Sequence, residues 1–441
     1  MAEVLTLHVE RMSYGADAIA RDADGKTVFV SGAVPGDVVE AELTASEKSF
    51  SRARVVRVAE ASPNRVTPAC PLAGACGGCP WAAISREEQL RQKRDNVVSS
   101  LVRIGHMGED RAQALVAPCE APSDGWGYRN KVELGFARNG GKVTVGMHGQ
   151  GSGELVRAKS CPLLDKAHAG VVKAVSGAVS YLASSRGLDF ERIGIRASRR
   201  TGEVEVALWT EPSGFPRGQA GKVIGDATKV TSVVRVMTKG PAKARRIAGV
   251  EQLSGRGSWA ERIGGETMRV SAPSFFQVNT RGAERLVELV MEGLDPQEDD
   301  EAMDLYCGAG TFTLPLARRT AFVSAVESYG PAVRDLRRNL EMSGLDNVDA
   351  VGGDAGREFP DTDADVIVVD PPRAGLTADV VEQLSAQPAR AIAYVSCDPA
   401  TLARDLARFE EAGTFSPVRV TPVDLFPQSF HVETVTILTR R

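Results

Sequence analysis

The sequence predicts an α/β protein of several domains: a doubly wound C-terminal domain, a small OB-like β-barrel at the N-terminus and a mostly β centre. Three observations carry this. From about residue 280, strand-like runs alternate with helix-like ones, the pattern of a parallel sheet covered on both faces. Before residue 60, short β-prone runs are separated by turn signals. Between about 128 and 265 the signals are mostly strands and hairpins. A chain of 441 residues has room for about three such units.

In the first unit, Leu5–Val9, Thr27–Val30 and Val38–Leu43 are the strand candidates, with turns at Tyr14-Gly15, Asp24-Gly25 and Pro35-Gly36. About five short strands in this length suit a small barrel of the kind that often binds oligonucleotides. Ser62-Pro63-Asn64-Arg65 ends the pattern, a cysteine-rich stretch follows, and 83–104 is helix-like. In the centre, Lys131–Phe136 reads as a strand, and Ile193–Arg196 and Val204–Leu208 as a hairpin, with a helix over 166–187. In the last unit, Ala302–Tyr306, Ala321–Val326, Val366–Val369 and Ala391–Val395 are the strand candidates. The resulting domains are 1–61; 62–82 with 117–265; and 83–116 with 266–441.

An apolar content of 43% and a charged content of 25% are those of a globular protein. No apolar run reaches the roughly 18 residues of a membrane span, and Met1-Ala2-Glu3-Val4 does not begin a signal peptide. A cytoplasmic location is therefore expected. The net charge of −4 argues against binding nucleic acid through a global positive field. Local basic clusters remain: Arg52, Arg54 and Arg57; Arg86, Arg91, Lys93 and Arg94; Lys243, Arg245 and Arg246. A solvated charged face is the ordinary reading of each. The seven cysteines are read as ligands, nucleophiles or core residues rather than disulfides.

Cys397 lies between the β-prone run ending at Val395 and a helix-like run from Thr401 to Phe409. A thiol delivered to a helix start is a way to build a nucleophile, because the partial positive charge there favours thiolate. The alternative is a small buried hydrophobe. A ligand crevice is expected where strands end. Cys307-Gly308-Ala309-Gly310-Thr311 follows the strand ending at Tyr306, and Glu327, Asp354 and Asp370 end later segments. Glycines admit a ligand close to the backbone, and an acid after the second strand can accept ribose hydroxyls. NAD fits this much. The incomplete Gly-x-Gly pattern, with Thr313 in the last glycine's place, and Asp370-Pro371-Pro372 favour S-adenosylmethionine. Cys70, Cys76 and Cys79 are spaced for one metal centre with Cys161 as the natural fourth ligand, and four thiolates suit either zinc or a 4Fe–4S cluster. Cys119 and Cys307 are read as packing residues.

The motifs Ser274–Asn279, Asp304–Leu314, Asp370–Arg373, Ser396–Pro399 and His431–Thr434 together resemble the RNA uridine C5-methyltransferase family, with its tRNA and 23S rRNA branches. The resemblance spans nearly the whole chain. It implies a Rossmann-like class I methyltransferase domain at the C-terminus, a TRAM barrel at the N-terminus and an iron–sulfur centre between them. It further implies that Gln277, Tyr306, Thr311, Glu327, Asp354 and Asp370 bind S-adenosylmethionine, that Cys397 is the nucleophile and that Glu433 is the base. Thr311 stands where some members have Asn. The resemblance favours a 4Fe–4S cluster on the four cysteines, structural or RNA-binding in role, and 23S rRNA over tRNA, since the members carrying both a cluster and a TRAM domain act there. A monomer with no membrane partner is expected.

Uracil carbon 5 is a poor nucleophile. A thiolate added to carbon 6 makes the ring an enolate able to take a methyl group, and a base must then remove the carbon 5 proton. Cys397 and Glu433 suit these steps, although Glu433 alone reads as a surface carboxylate. Phe275, Phe276 and Phe426 are candidates to stack on bases, with core packing the ordinary reading of each. The rival class, a non-catalytic RNA-binding or iron–sulfur sensor protein, leaves the pairing of Cys397 with Glu433 unexplained.

Overall fold

The computed structural model describes residues 3–151, 153–241 and 245–441. Lys243 of the third basic cluster lies outside them, as do the first two residues of the N-terminal unit. The strands β1 (Val4–Met12), β2 (Ala18–Arg21), β3 (Thr27–Ser31), β4 (Val38–Ser46) and β5 (Phe50–Glu60) close into a barrel in the order β1-β2-β3-β5-β4. Alternation along the strands sends Leu7, Val9, Val28, Val30, Val39 and Ala41 inward, where Trp81 and Ile84 cap the core.

The helix α1 (Arg86–Arg103) starts at Ser85, whose side chain accepts from the Glu88 amide, and carries Glu87 and Glu88 in its first turn. With α2 (Glu109–Leu115) it packs Val97, Val98, Leu101 and Ala112 onto the core of the C-terminal domain. It is not a basic docking surface. Lys93 is 0% exposed and ion-paired to Asp424, which also holds Arg86. Arg91 pairs with Glu88 and Asp95, and Arg94 donates to the Val116 and Gln113 carbonyls. The barrel arginines are similarly engaged: Arg52 with Asp17, Arg54 with Glu42 and Arg57 with Glu40.

The central sheet contains β6 (Lys131–Asn139), β7 (Lys142–His148), β8 (Leu155–Val156), β9 (Arg192–Ala197), β10 (Val204–Thr210), β11 (Ser232–Lys239) and β12 (Arg246–Gly255), in the order β12-β11-β10-β9-β6-β7-β8. The anticipated helix is α3 (Val171–Arg186). The second helix, α4 (Arg217–Thr228), is the crossover between parallel β10 and β11. Gly218, Gly221 and Gly225 mask α4 in the sequence by lowering helix propensity; burial of Ala220 and Ile224 against the sheet forms it. A ribbon of β13 (Trp259–Ile263) and β14 (Glu266–Val270) leads onward.

The C-terminal domain runs α5 (Thr280–Leu294), β15 (Glu301–Leu305), α6 (Thr313–Ala317), β16 (Phe322–Glu327), α7 (Gly330–Ser343), β17 (Val348–Gly352), β18 (Val366–Val369), α8 (Ala378–Ala386), β19 (Ala391–Ser396), α9 (Pro399–Ala412), β20 (Phe415–Val423) and β21 (Glu433–Arg440). The sheet order is β17-β16-β15-β18-β19-β21-β20, parallel except for β21, which is antiparallel to both neighbours. The order reverses between β15 and β18, which opens a crevice at their carboxyl ends. β20 carries Pro417 and Pro422, tolerated because it is an edge strand.

Candidate active site

Beyond β15 the chain turns through Tyr306 at φ 66°, while its amide and that of Cys307 still donate to the Val326 carbonyl at 2.9 and 3.2 Å. Gly310 has φ 103°, and a Cβ there would lie 2.5 Å from Leu314 and 2.7 Å from Leu336, so only glycine fits. Glu327 ties the first two loops together, accepting from the amides of Gly308 at 3.0 Å and Tyr329 at 2.6 Å. Asp304 lies fully buried beneath them. One of its oxygens accepts from the Thr313 hydroxyl at 2.6 Å and the other has no partner.

The crevice concentrates negative charge. Burial and the neighbouring Glu327 push Asp304 up to about 7. Burial, Asp304 and Glu327 do the same to Asp370, at the end of β18. Burial and the nearby Asp354 and Asp405 raise the Tyr306 phenol to about 12. Asp354 accepts from the Gly356 amide at 3.1 Å, capping its own turn. Thr311 is partly exposed between Gly310 and α6. Gln277 is buried on the loop entering α5. Its backbone carbonyl is held by Asn130 at 2.9 Å, and its side-chain oxygen Oε1 has no partner.

Cys397 follows β19 and Glu433 begins β21. Ser396 pairs with Thr434, so the antiparallel register brings the thiol and the carboxyl to the same end of adjacent strands. Two expectations are corrected here. Glu433 is not a surface carboxylate: it is 3% exposed, and burial and Asp370 hold its pKa well above the carboxylate range, against the pull of Arg373. The Cys397 thiol is raised to about 12, by burial and then Glu433 and Asp370, with Arg373 opposing. The α9 N-terminus does not offset this, because Asp398 takes its amides, accepting from Ala400 at 2.9 Å and Thr401 at 3.2 Å.

The sequence reading missed the residues that hold this end of the sheet. Tyr14 reaches out of the barrel, and its hydroxyl donates to the Cys397 carbonyl at 3.0 Å. Lys93 donates to the Phe426 carbonyl at 3.0 Å, and Tyr128 to the Pro427 carbonyl at 3.0 Å. Asn279 both caps α5 and donates to the Leu425 carbonyl at 3.1 Å. Asp405 on α9 accepts from Tyr394 and from the Leu376 amide, anchoring the loop after Asp370. No local pattern marks these contacts, although Lys93, Asn279 and Tyr14 each stand in a segment that the sequence singles out for another reason: a basic cluster, the Ser274–Asn279 motif and a turn. Among the aromatic candidates, Phe276 is core, edge-on to Trp259, and Phe426 is partly buried. Phe275 departs from the packing reading and is 67% exposed.

Cys70, Cys76, Cys79 and Cys161 line one cavity of about 660 Å³ between the cysteine-rich segment and the central sheet. Gly77 lets the backbone pack there: a Cβ would lie 3.2 Å from the Gly149 carbonyl oxygen. Burial and the other three cysteines raise Cys79 to about 12, with Arg129 opposing. Among the described residues, no three His, Cys, Asp or Glu side chains are gathered for a single metal ion. Cys307 is core, and Cys119 is partly buried against a separate hydrophobic cluster of the same domain.

The reversed strand order, the antiparallel β21 and the carboxylate-lined crevice define a class I methyltransferase domain. Residues 262–441 match the family described as tRNA (Uracil-5-)-methyltransferase, and residues 2–56 match the TRAM domain. The chain is 34% identical to an uncharacterised RNA methyltransferase of Thermosynechococcus vestitus, over 99% of this chain and 98% of that protein. It is also 34% identical to one of Gloeobacter violaceus, over 99% and 97%. The fold is that of the Pyrococcus abyssi tRNA (uracil-54, C5)-methyltransferase crystallised with S-adenosyl-L-homocysteine: TM-score 0.74, 23% identity, 98% of this chain and 99% of that one. The chain belongs to the RNA (uracil-5-)-methyltransferase family. Among the described residues, no helix is long and apolar enough to cross a membrane.

Proposed function

We propose that this protein, as a cytoplasmic monomer, methylates carbon 5 of a uridine in structured RNA, 23S rRNA foremost, through a covalent bond between Cys397 and uracil carbon 6. The observation that carries the reading is the meeting of Cys397 and Glu433 on adjacent strand ends beside an anionic crevice. S-adenosylmethionine supplies an activated methyl group and a positive charge. The carboxyls of Asp304, Glu327 and Asp370 gather in one crevice, where a bound cation would favour their ionised forms. Gln277, Tyr306, Thr311, Glu327, Asp354 and Asp370 are assigned to hold it, with the unpartnered Gln277 oxygen free to accept a hydrogen bond.

The target base is flipped out of its stack. Cys397 Sγ releases its proton to solvent and adds to carbon 6 as thiolate, and carbon 5 takes the methyl group that the sulfonium of S-adenosylmethionine would supply. Glu433 then removes the carbon 5 proton, and the sulfur–carbon bond breaks to restore the double bond. Glu433 does this in its ionised form, and the burial that raises its pKa makes that carboxylate a stronger base than a free one.

Cys70, Cys76, Cys79 and Cys161 are assigned to a 4Fe–4S cluster. All four line one cavity, which has room for a group bulkier than a single ion. Methyl transfer needs no redox step, so the cluster's role is structural or RNA-binding. The domain limits 1–61, 62–82 with 117–265, and 83–116 with 266–441 belong to the same reading; the packing of α1 and α2 on the C-terminal core supports them.

A second reading, tRNA as substrate, is favoured by the full-length likeness to a structure described as a tRNA methyltransferase. Labelled S-adenosylmethionine with rRNA and tRNA taken separately from a strain lacking the gene tests both. Label in 5-methyluridine of 23S rRNA is expected. Label only in tRNA selects the second reading, and label in neither refutes the enzyme.

A further inference from the structure

The third basic cluster leads to a surface that the catalytic reading does not use. A groove of about 1360 Å³ lies between the central sheet, at the ends of β9 to β12, and the start of α7. Four arginines line it, Arg192, Arg245, Arg246 and Arg334, against one acid, Glu191. Glu191 is taken up by Arg245 and by the Thr238 hydroxyl. Arg246 and Arg334 are exposed and have no carboxylate partner among the described residues. This is a local excess of positive charge on a chain of net charge −4. The other two basic clusters are cancelled by their own acids.

The groove also offers flat faces. The Arg192 guanidinium stacks on the Trp209 ring, 3.8 Å from its centroid, and presents a fixed cationic plane. Across from it, Tyr329 is 37% exposed, a large share for an aromatic side chain. Unpaired arginines beside exposed planar groups form a site for a nucleic-acid strand whose bases are free to stack. A duplex would present phosphates but no open base face.

We propose that this groove holds a single-stranded segment of the substrate RNA away from the reacting uridine, with Arg246 and Arg334 on phosphates and the Arg192 and Tyr329 faces against a base. The inference rests on the proposed RNA substrate, and the anchoring surface borders the cofactor crevice, because Tyr329 lies on the loop that Glu327 closes.

The test uses the full-length protein and a labelled single-stranded polyuridine of about 20 nucleotides, titrated over a series of salt concentrations. Each phosphate contact to a single strand contributes about 0.7 to the slope of log affinity against log salt. Arg246→Gln with Arg334→Gln is therefore expected to lower the slope by about 1.4 and to weaken binding about 10- to 30-fold near ~0.1 M salt. Arg246→Lys with Arg334→Lys should recover most of both. S-adenosylmethionine binding, measured by calorimetry on the same proteins, should stay unchanged. Unchanged RNA affinity and slope in the glutamine variant overturn the proposal. So does loss of cofactor binding in parallel, which would place these arginines in support of the crevice. Displacement of polyuridine from wild type but not from the glutamine variant, by polyglutamate, would assign the groove to an acidic protein instead. A wild-type protein that binds polyuridine through these arginines yet methylates no RNA sinks the proposed activity and leaves the groove standing. One that binds no polyuridine sinks the groove, whatever its activity.

Discussion

The thiol of Cys397 and the carboxyl of Glu433 each sit where burial and neighbouring carboxylates favour the neutral form. In the free protein the thiol titrates near 12 instead of its ordinary 9.0, so the thiolate fraction gains about tenfold per pH unit throughout the usual range. Alkylation of Cys397 by iodoacetamide should still be climbing at pH 10, and a plateau by pH 9 would show that the free site already stabilises thiolate. Cys397→Ala is expected to abolish methyl transfer while leaving cofactor binding intact; retained transfer would refute the covalent route. Glu433→Gln should accumulate a protein–RNA adduct stable in a denaturing gel, because methylation proceeds but release does not. Failure to see that adduct would point to another base. Asp304 adds a stability signature. Its carboxyl is raised from 3.8 to about 7, so the folded protein holds a proton that the unfolded chain loses between those values. Its contribution to stability therefore falls as pH rises from about 4 to 7. Asp304→Asn should gain on wild type, by on the order of 1–3 kcal/mol, in denaturation at pH 8 compared with pH 5. An equal difference at both pH values would mean that Asp304 is not buried as a shifted acid.

At the scale of elements, one strand pair does most to make the site. β19 ends on a thiol and β21 starts on a carboxyl, and only their antiparallel pairing makes these neighbours. β21 also separates β19 from the edge strand β20, which is where a proline-bearing strand can be accommodated. The loop between β20 and β21 is pinned from below by Lys93, Tyr128 and Asn279, one from each of three segments. Lys93 makes its ion pair at full burial, and breaking such a pair typically costs about 3–5 kcal/mol. Lys93→Ala should lower the unfolding free energy by an amount of that order and, by loosening the loop, reduce transfer at saturating cofactor. A stability loss below about 1 kcal/mol would mean that Arg86 alone suffices for Asp424.

Across the whole molecule, the N-terminal barrel reaches Cys397 directly. Tyr14 donates to the Cys397 carbonyl and packs edge-on to Phe430, and Trp81 fastens the same turn by donating to the Gly15 carbonyl at 2.9 Å. Tyr14→Phe should cost about 1 kcal/mol of stability and lower the turnover rate with cofactor affinity unchanged. Unaltered turnover would make the contact purely structural. Much of this organisation was legible in the amino-acid order because it is local. Alternating apolar residues mark β1, β3 and β4, Asp304-Leu305-Tyr306-Cys307-Gly308-Ala309-Gly310 marks the first crevice loop, and Asp370-Pro371-Pro372 marks the last. Cys70, Cys76 and Cys79 stand close together in the sequence, and folding brings Cys161 to the cavity they line. Folding alone decided which charges meet. Lys93 and Asp424 are far apart in sequence, so a lysine read as part of a basic surface became a buried ion pair. Asp398 took the helix amides that the sequence reading had offered to Cys397, while Glu433 and Asp370 arrived from other strands. The sequence by itself determined the elements and the residue types available for chemistry, since these depend on neighbours along the chain. The tertiary structure decided their burial and electrostatic partners, since a charge responds to everything packed around it, however distant in sequence.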